Sequence, residues 1–172
     1  PEKWVLSLLP DLYNAGLRCV AWGIESGSQR VLDFMDKGTN IKDVKEVLSV
    51  SRNVGIKNIV YIMFGFPTES KEEFIQTLDF LEENINNIDL VAPSIFGLQE
   101  GSRAMIHQDR FGVQNVSYEK RTLLGERIYF EASSGLSQDE LKKLKKKNMY
   151  KINKIDKYPK IINSCREQIL NL

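Results

Sequence analysis

Three short segments of this 172-residue chain combine glycine with polar side chains, a composition typical of ligand-binding loops. They are residues 23–27 (Gly-Ile-Glu-Ser-Gly), 65–69 (Gly-Phe-Pro-Thr-Glu) and 99–102 (Gln-Glu-Gly-Ser). Glu25 is the sharpest candidate, because a carboxylate can accept hydrogen bonds from an ammonium group or a ribose diol. Gly23 and Gly27 would let the backbone approach such a ligand. The alternative role of Glu25 is to cap the helix that follows it.

Further candidates lie in or near these segments. Phe66 and Pro67 offer an aromatic face and a fixed φ, which suit a site beside a planar base, although a plain strand-to-helix turn is equally compatible. Lys37 precedes a glycine at the end of a short predicted helix and could pair with a ligand carboxylate, or it is simply solvated there. His107 is the sole histidine. It has no Cys or His partner at metal-ligand spacing, so we expect a surface residue and no metal site.

Composition and missing motifs exclude several classes of protein. The two cysteines, Cys19 and Cys165, form no C-x-x-C pair, which argues against a local zinc site and for a reducing, cytoplasmic compartment. The longest apolar run, residues 59–64, is far shorter than the ~18 residues that span a bilayer. The phosphate-loop, dinucleotide-binding, zinc-protease and nucleophile-elbow motifs are all absent.

The elements that must position the three segments alternate between strand and helix. Short apolar runs predict strands at residues 19–22, 58–64 and 90–98. Helical spacing predicts helices at residues 29–35, from Ile41 to a closing Gly55, and behind a capping box at Ser70. This order gives a parallel α/β sheet covered on both faces, either a piece of a barrel or an open doubly wound sheet. In both, the carboxyl ends of the strands share one rim, where ligands bind.

Three strands cannot close a barrel, so the sheet must have free edges. Pro93 suggests that the third strand lies at an edge or contains a bulge. We expect either a homodimer or a C-terminal segment that covers an edge. That segment contains a possible extended run at 127–131, a lysine-rich helix capped at Ser137, and a last helix at 161–170. We therefore divide the chain into residues 1–104 and a mostly helical extension, residues 105–172.

Charge is concentrated near the C terminus. The whole chain carries a net charge of +1, but residues 139–160 contain nine lysines and three acidic residues. Such a run is typical of a nucleic-acid surface or of the solvated face of a helix whose inner side here holds Leu141, Leu144 and Met149. We favour the solvated face, because no aromatic residues are interleaved to stack bases and lysine outnumbers arginine. Nucleic acid is therefore not the partner that we expect.

Two motifs together resemble a known family. The string Gly-Ile-Glu-Ser-Gly-Ser-Gln-Arg-Val-Leu-Asp-Phe-Met-Asp-Lys-Gly-Thr covers residues 23–39, and Met-Phe-Gly-Phe-Pro-Thr-Glu-Ser covers residues 63–70. In this order and spacing they resemble the later half of the radical SAM enzymes, over about residues 2–104. The resemblance is strongest to the branch with an upstream cobalamin-binding domain, which includes enzymes similar to the oxidative cyclase of magnesium-protoporphyrin monomethyl ester.

The resemblance implies a fold and a reaction. The family builds a partial (βα)6 barrel, of which these strands would be the fourth, fifth and sixth. Its cofactors are S-adenosylmethionine and a [4Fe–4S] cluster, with cobalamin a further cofactor in this branch. The full-length enzyme would cleave S-adenosylmethionine reductively to start radical chemistry on a small-molecule substrate. The C-x-x-x-C-x-x-C cluster motif has no counterpart here, and the chain starts at Pro1 inside an apolar-periodic stretch. We therefore expect an inactive fragment that partners the N-terminal half of its own chain.

The resemblance also assigns cofactor-binding residues. Glu25, with Ser26 beside it, matches the polar position after the fourth strand, and Lys37 falls near a basic residue that can meet the cofactor carboxylate. Gly65, Phe66 and Pro67 match the loop beside the adenine. Thr68 stands where the family often has glycine, which weakens the match at that position. No catalytic residue is assigned. Two alternatives stay open, namely a tRNA-modifying radical SAM enzyme, suggested by the basic tail, and a non-enzymatic α/β interaction module.

Overall fold

A computed structural model describes residues 2–120 and 127–158 of the chain. The predicted last helix at 161–170 and Cys165 lie outside this part. A 3₁₀ helix (Lys3–Ser7) precedes seven α-helices in the described residues: α1 (Leu9–Asn14), α2 (Gln29–Phe34), α3 (Ile41–Val54), α4 (Lys71–Glu83), α5 (Arg103–Ile106), α6 (Gln108–Phe111) and α7 (Gln138–Ile155). The strands are β1 (Cys19–Glu25), β2 (Lys57–Phe64), β3 (Leu90–Ile95), β4 (Val113–Glu119) and β5 (Arg127–Ala132). No helix among these is long and apolar enough to cross a membrane.

The main sheet has the order β1-β2-β3 with all strands parallel, which confirms the predicted α/β architecture. The register between β2 and β3 is regular throughout. Pro93, which lies on the edge strand β3, pairs with Ile62 of β2. Between β1 and β2 the register shifts at Gly23–Glu25. The expectation that both faces of the sheet are covered is wrong for β1, because Ala21 is exposed and Trp22 is half-buried on this edge strand.

Local sequence signals place the helices that flank the sheet. The Asn40 side chain accepts a hydrogen bond from the Lys42 amide at the start of α3, and Gly55 ends that helix in the left-handed conformation at φ 104°. At the start of α4, Ser70 and Glu73 form both hydrogen bonds of a capping box. Pro10 lies in the first turn of α1, so it begins a new helix after the 3₁₀ turn, as its missing N–H favours.

The principal core lies between the sheet and helices α3, α4 and α7. Val60, Ile62 and Phe64 of β2 point into it and are fully buried. From α7, Leu141, Ile152 and Ile155 are buried, and Leu144 and Met149 pack against the same cluster. This arrangement confirms the predicted inner face of the lysine-rich helix.

The C-terminal segment covers the outer edge of β3, as one of the two sequence-based alternatives expected. The amide of Val91 donates to Asp156 Oδ1 at 2.8 Å, and the amide of Lys157 donates to the Asp89 carbonyl at 3.0 Å. Lys145 Nζ donates to the Pro93 carbonyl at 3.2 Å. Lys145 is thus not on the solvated face assigned to it, and burial lowers the pKa of its ammonium group. Side chains and one backbone group therefore replace a fourth strand.

An antiparallel ribbon of β4 and β5 lies in the C-terminal extension. The extended run at 127–131 is confirmed as β5, but β4 was not predicted. In β4 only Val113 is buried, so the strand lacks the apolar alternation that would reveal it. The proposed boundary at residue 104 falls within α5, and residues from both sides of it share apolar clusters. The division into two domains stays a prediction.

Gly27 offers a test of how the loop after β1 is held. A Cβ at this position would lie 2.7 Å from Thr77 Cα and 2.8 Å from Phe80 Cβ, both on α4. We expect Gly27→Ala to lower the free energy of unfolding by about 1 to 3 kcal/mol, because the loop and α4 must separate. Urea denaturation measures this change. Gly97→Ala is the matched control, since in the part of the chain that the structure describes nothing lies within 4 Å of its added Cβ. Equal stability of the two variants would contradict the close packing.

Candidate functional site

The three polar segments meet at one rim because they follow strands that run in the same direction. At this rim the structure brings together Glu25 and Lys37, two of the residues predicted to bind a ligand. Lys37 Nζ donates to Glu25 Oε1 at 3.1 Å. A Cβ on Gly23 would lie 3.0 Å from that oxygen and 3.4 Å from Nζ. The ion pair therefore lies directly against the bare backbone of Gly23.

The backbone at Glu25 explains how this pair forms. Glu25 has a φ of 72°, and the β1 register shifts just before it. Such a bulge re-aims the side chain at the end of a strand. The alternative in which Glu25 caps the following helix is wrong, because Ser28 is the N-cap and accepts from the Val31 amide. The alternative of a simply solvated Lys37 is also wrong. The Glu25 and Lys37 side chains remain 24% and 33% exposed, so both can still reach a ligand.

Ser26 and Gly27 face α4 rather than the open rim. Ser26 is fully buried, and its hydroxyl shares a 3.2 Å hydrogen bond with the Thr77 hydroxyl. The Gly27 amide donates to the same Thr77 oxygen at 3.0 Å. The cofactor contact predicted for Ser26 is untested, but its hydroxyl already has partners within the protein. The glycine at 27 serves helix packing and not the approach of a ligand.

Phe66 occupies a different position from the one expected. Its side chain is 7% exposed and lies among Phe34, Phe96 and Phe111, with ring centroids 6.1, 5.0 and 5.8 Å away. All three contacts are edge-to-face, the geometry that aromatic pairs prefer. The ring is therefore enclosed by protein and has no free face for a planar base. The aromatic role predicted for Phe66 does not fit this arrangement.

The backbone of the second loop is held from several sides. Gly65 has a φ of 77°, and a Cβ there would lie 2.1 Å from Leu141 Cδ2, so α7 packs directly on this loop. Pro67 is buried. Thr68 adopts a φ of 71°, a conformation that favours glycine, which agrees with its mismatch to the family pattern. Arg30 Nη2 donates to the Thr68 carbonyl at 3.1 Å and helps to hold this residue.

Arg30 and Glu73 were missed by the sequence analysis. The Arg30 guanidinium forms a bidentate pair with the Glu73 carboxylate, and its Nη2 lies 2.6 Å from Oε2. Hydrogen bonds from Arg30 hold the pKa of Glu73 below its usual range. The capping box at Ser70 identified Glu73, but only as a helix-start residue. Nothing in the sequence pairs it with an arginine 43 residues earlier.

Glu69 is a further residue that sequence reasoning missed. Glu69 is 1% exposed, Oε2 accepts from the Gly65 amide at 2.5 Å, and Oε1 has no hydrogen-bond partner among the described residues. Burial raises the pKa of this carboxyl to about 7, against the opposing effect of the Gly65 hydrogen bond. Glu69 therefore carries a proton over part of the neutral range, which is consistent with its lack of a cationic partner at hydrogen-bonding distance.

The extension after β3 covers the rim beside the ion pair. Asp36 Oδ2 lies 2.7 Å from Arg103 Nη2 and 2.6 Å from Arg110 Nη2, so α5 and α6 are tied to the turn that carries Lys37. These bonds, led by the one from Arg110, hold the pKa of Asp36 below its usual range. Around this turn a second apolar cluster joins α2, Phe66 and the β4–β5 ribbon. His107 is exposed between α5 and α6, as predicted.

The described residues do not fit an iron–sulfur cluster. Residues 2–120 and 127–158 contain no group of three or more Cys, His, Asp or Glu side chains that could hold a metal ion. The [4Fe–4S] cluster that the resemblance implies is held by cysteine thiolates. Cys19 is a free, buried thiol, and burial raises its pKa, which disfavours the thiolate. For S-adenosylmethionine the fit is partial, because Glu25 and Lys37 offer complementary charges while Phe66 offers no stacking face.

The fold and the rim define a class of protein. Parallel strands, each followed by a helical connection, carry a polar, partly open site at their carboxyl ends, as in proteins built from βα barrels and their partial forms. Residues 5–81 match the family model of the Radical SAM superfamily. Residues 5–81 thus carry the sequence pattern of the Radical SAM superfamily, and the resemblance drawn from the motifs is confirmed for this part of the chain.

Curated relatives match between 61 and 74 residues of the chain. It is 31% identical over 74 residues to a putative methylthiotransferase of Methanocaldococcus jannaschii, covering 43% of this chain and 16% of that protein. It is 39% identical over 61 residues to the threonylcarbamoyladenosine tRNA methylthiotransferase of Aquifex aeolicus, covering 34% of this chain and 15% of that protein. An uncharacterized methyltransferase of Pyrococcus horikoshii is 31% identical over 70 residues, covering 41% and 15%.

A solved structure shows the same fold. Coproporphyrinogen III oxidase (HemN) from Escherichia coli, described as a radical SAM enzyme, matches with a TM-score of 0.59 and 15% identity. The match covers 85% of this chain and 30% of that chain. A match over 85% of the chain is longer than residues 5–81, so it also includes residues of the C-terminal extension. The chain thus spans less than a third of the proteins that it matches.

Glu69 gives the site a measurable pH dependence. Its pKa is about 7 in the folded chain and near its ordinary value of 4.5 when unfolded, so between these values the folded state binds more protons. The contribution of Glu69 to stability then falls as the pH rises from about 4.5 to 7. We expect Glu69→Gln, which carries no ionisable group, to be more stable than the wild type by about 1 to 3 kcal/mol at pH 8 and equally stable at pH 4.5.

Urea denaturation at pH 4.5, 6, 7 and 8 measures this difference. Glu100→Gln is the control, because Glu100 is exposed in the loop after β3 and its removal should leave the pH profile unchanged. A difference between wild type and Glu69→Gln that stays constant with pH would show that Glu69 ionises normally.

Proposed function

We propose that this chain forms the cofactor-binding wall of a radical SAM enzyme. The observation that carries the proposal is the Glu25–Lys37 ion pair, which lies over Gly23 at the rim of a parallel sheet in a Radical SAM superfamily domain. A small ligand can take the place of either side chain as the partner of the other with little loss of free energy, because exposed ion pairs contribute little to stability. Without a ligand, the two side chains therefore neutralise each other. Together they complement a zwitterionic ligand.

Each half of the pair has its own role in this proposal. The Glu25 carboxylate accepts hydrogen bonds from the ribose diol of S-adenosylmethionine, and the Lys37 ammonium meets its carboxylate. Gly23 leaves room for both. Gly65 and Pro67 remain proposed contacts through their backbone, whereas the stacking role of Phe66 is withdrawn, since its ring is enclosed by other aromatic rings.

Other parts of the intact enzyme complete the reaction. The iron–sulfur ligands belong, in this proposal, to residues outside the described part, so the chain alone is inactive and needs the N-terminal half of its own protein. The relatives named as methylthiotransferases and a methyltransferase favour transfer to a substrate. The named oxidase with the same fold shows that oxidation is compatible with it. The substrate and the use of cobalamin stay open within the proposal.

Binding of cofactor analogues tests the two roles separately. S-adenosylhomocysteine carries both the ribose diol and the carboxylate, whereas 5′-deoxyadenosine carries only the diol. We expect Lys37→Gln to weaken binding of S-adenosylhomocysteine about tenfold and to leave 5′-deoxyadenosine unaffected, because a charge-assisted hydrogen bond contributes about 1.5 kcal/mol or more. Glu25→Gln should weaken both analogues. NMR titration suits the weak affinities of an incomplete site.

Lys42→Gln is the matched control, because Lys42 is exposed on the next helix and lies outside the rim. Binding that is equal in all three variants and the wild type, or absent at millimolar analogue, would contradict the proposal. Absence of binding would favour the non-enzymatic α/β module.

A second candidate, an RNA-modifying enzyme of the same family, rests on the outer face of α7. Tyr150 is 54% exposed there, and Lys154 Nζ lies 5.7 Å from its ring centroid. Lys143 and Lys147 precede Tyr150 at helical spacing on the same exposed face. The expectation that no aromatic residue is interleaved with the lysines is therefore wrong. Aromatic and cationic side chains on one face suit single-stranded RNA, and one relative is named as a tRNA methylthiotransferase.

A gel-shift series with a transcribed tRNA at rising salt tests this candidate. We expect the triple variant K143Q/K147Q/K154Q to reduce the slope of log affinity against log salt by about 2, since each phosphate contact to a single strand contributes about 0.7. The matched control, K42Q/K71Q/K120Q, removes the same charge from exposed positions elsewhere. Equal slopes for both triple variants, or binding that does not depend on salt, would contradict an RNA role for α7.

A further inference from the structure

A cavity of about 540 Å³ opens where β3 ends, away from the Glu25–Lys37 pair. Its floor is the segment 95–99, its side is β5, and its other wall is the first turns of α7. The cavity is as large as the pockets that hold small organic ligands, which run from about 300 to 1,000 Å³. No residue of this cavity belongs to the site proposed for the cofactor.

The lining combines two cations with an apolar floor. Arg127 from β5 and Lys142 from α7 both line the cavity, and among the described residues no carboxylate side chain does. Phe96 and Phe130 form its aromatic part, with ring centroids 5.5 Å apart and nearly perpendicular planes. Two positive charges from different elements beside aromatic rings fit a ligand that carries an anionic group on a flat apolar body.

The charges around the two cations leave them available. Lys142 pairs with Asp139 at 3.5 Å, but the side chains are 62% and 84% exposed, so this pair is weak. Arg127 lies over the Tyr129 ring at 4.9 Å, and the Tyr129 hydroxyl donates to Glu119 Oε2 at 2.6 Å. Glu119 faces Arg127 across the ribbon. It is bonded through its tyrosine neighbour and does not line the cavity.

The cavity is connected to the rim through its floor. Phe96 lines the cavity and also packs edge-to-face on Phe66, the central ring of the loop after β2. The amide of Phe96 donates to the Phe64 carbonyl at 2.8 Å, so the floor continues the hydrogen bonding of the parallel sheet. A ligand held in the cavity would therefore extend from the C-terminal extension toward the carboxyl ends of the strands.

We propose that this cavity binds an aromatic carboxylate or phosphate monoester and so anchors the anionic end of the substrate. Arg127 and Lys142 hold the anion, and Phe96 and Phe130 contact the flat body. The role as a substrate anchor rests on the proposed function, whereas the binding itself does not. Arg127 and Lys142 are positioning residues, since they act on a part of the ligand remote from the cofactor.

Three naphthalene probes test the site in the chain as it stands: 1-naphthoate, 1-naphthyl phosphate and the neutral 1-naphthylmethanol. We expect both anions to bind at least fivefold more tightly than the alcohol, measured by NMR titration. Arg127→Gln and Lys142→Gln should each remove most of that preference and leave affinity for the alcohol unchanged. Lys146→Gln is the matched control, because its side chain is exposed on α7 but does not line the cavity.

The outcomes separate this proposal from that of the cofactor site. Glu25→Gln should leave naphthoate binding unchanged, so a failure of the cofactor proposal does not alter this result. Equal affinity for the alcohol and the anions would overturn the proposal, as would loss of binding in Lys146→Gln to the same degree as in Lys142→Gln. No binding of either anion at millimolar concentration would also overturn it. The tighter of the two anions identifies whether carboxylate or phosphate is the natural group.

Discussion

Hydrogen bonding of β2 to a parallel neighbour on each side is the constraint on which the rest of the molecule depends. It places the carboxyl ends of all three strands at one rim. Each connection from one strand to the start of the next then has to cross back along the sheet, and it does so through a helix. The bulge before Glu25 then turns one carboxylate over Gly23, within reach of Lys37. Without the parallel register the loops that follow the three strands would lie at opposite ends of the sheet, and they would share no rim.

The three strands expose edges that a closed barrel would not have, and the chain treats the two edges differently. Asp156 and Lys145 satisfy backbone groups on β3 with side chains, while α7 packs its apolar face into the core. The edge at β1 is left with an exposed Ala21. The lysines of α7 therefore have two roles. Lys145 hydrogen-bonds to the edge of the sheet, and others face solvent.

The sequence predicted the parallel sheet, the capping of α3 and α4, and the shared rim of the loops after the strands, because periodicity and capping are local signals. It did not predict that Glu25 and Lys37 pair with each other. It did not predict the position of Phe66, since burial of that ring depends on Phe34, Phe96 and Phe111, which lie far apart along the chain. Long-range pairs such as Arg30 with Glu73 have no local signature either. The strand β4 escaped prediction because most of its residues are exposed.

Leu141 of α7 occupies the space that a side chain at Gly65 would need. The loop after β2 therefore packs on the first turn of the helix that walls the cavity at the end of β3. Lys142, which lines that cavity, is the next residue on the helix. Any side chain at residue 65 would have to displace this turn, so the absence of one there is a condition for the shape of the cavity as well as of the loop.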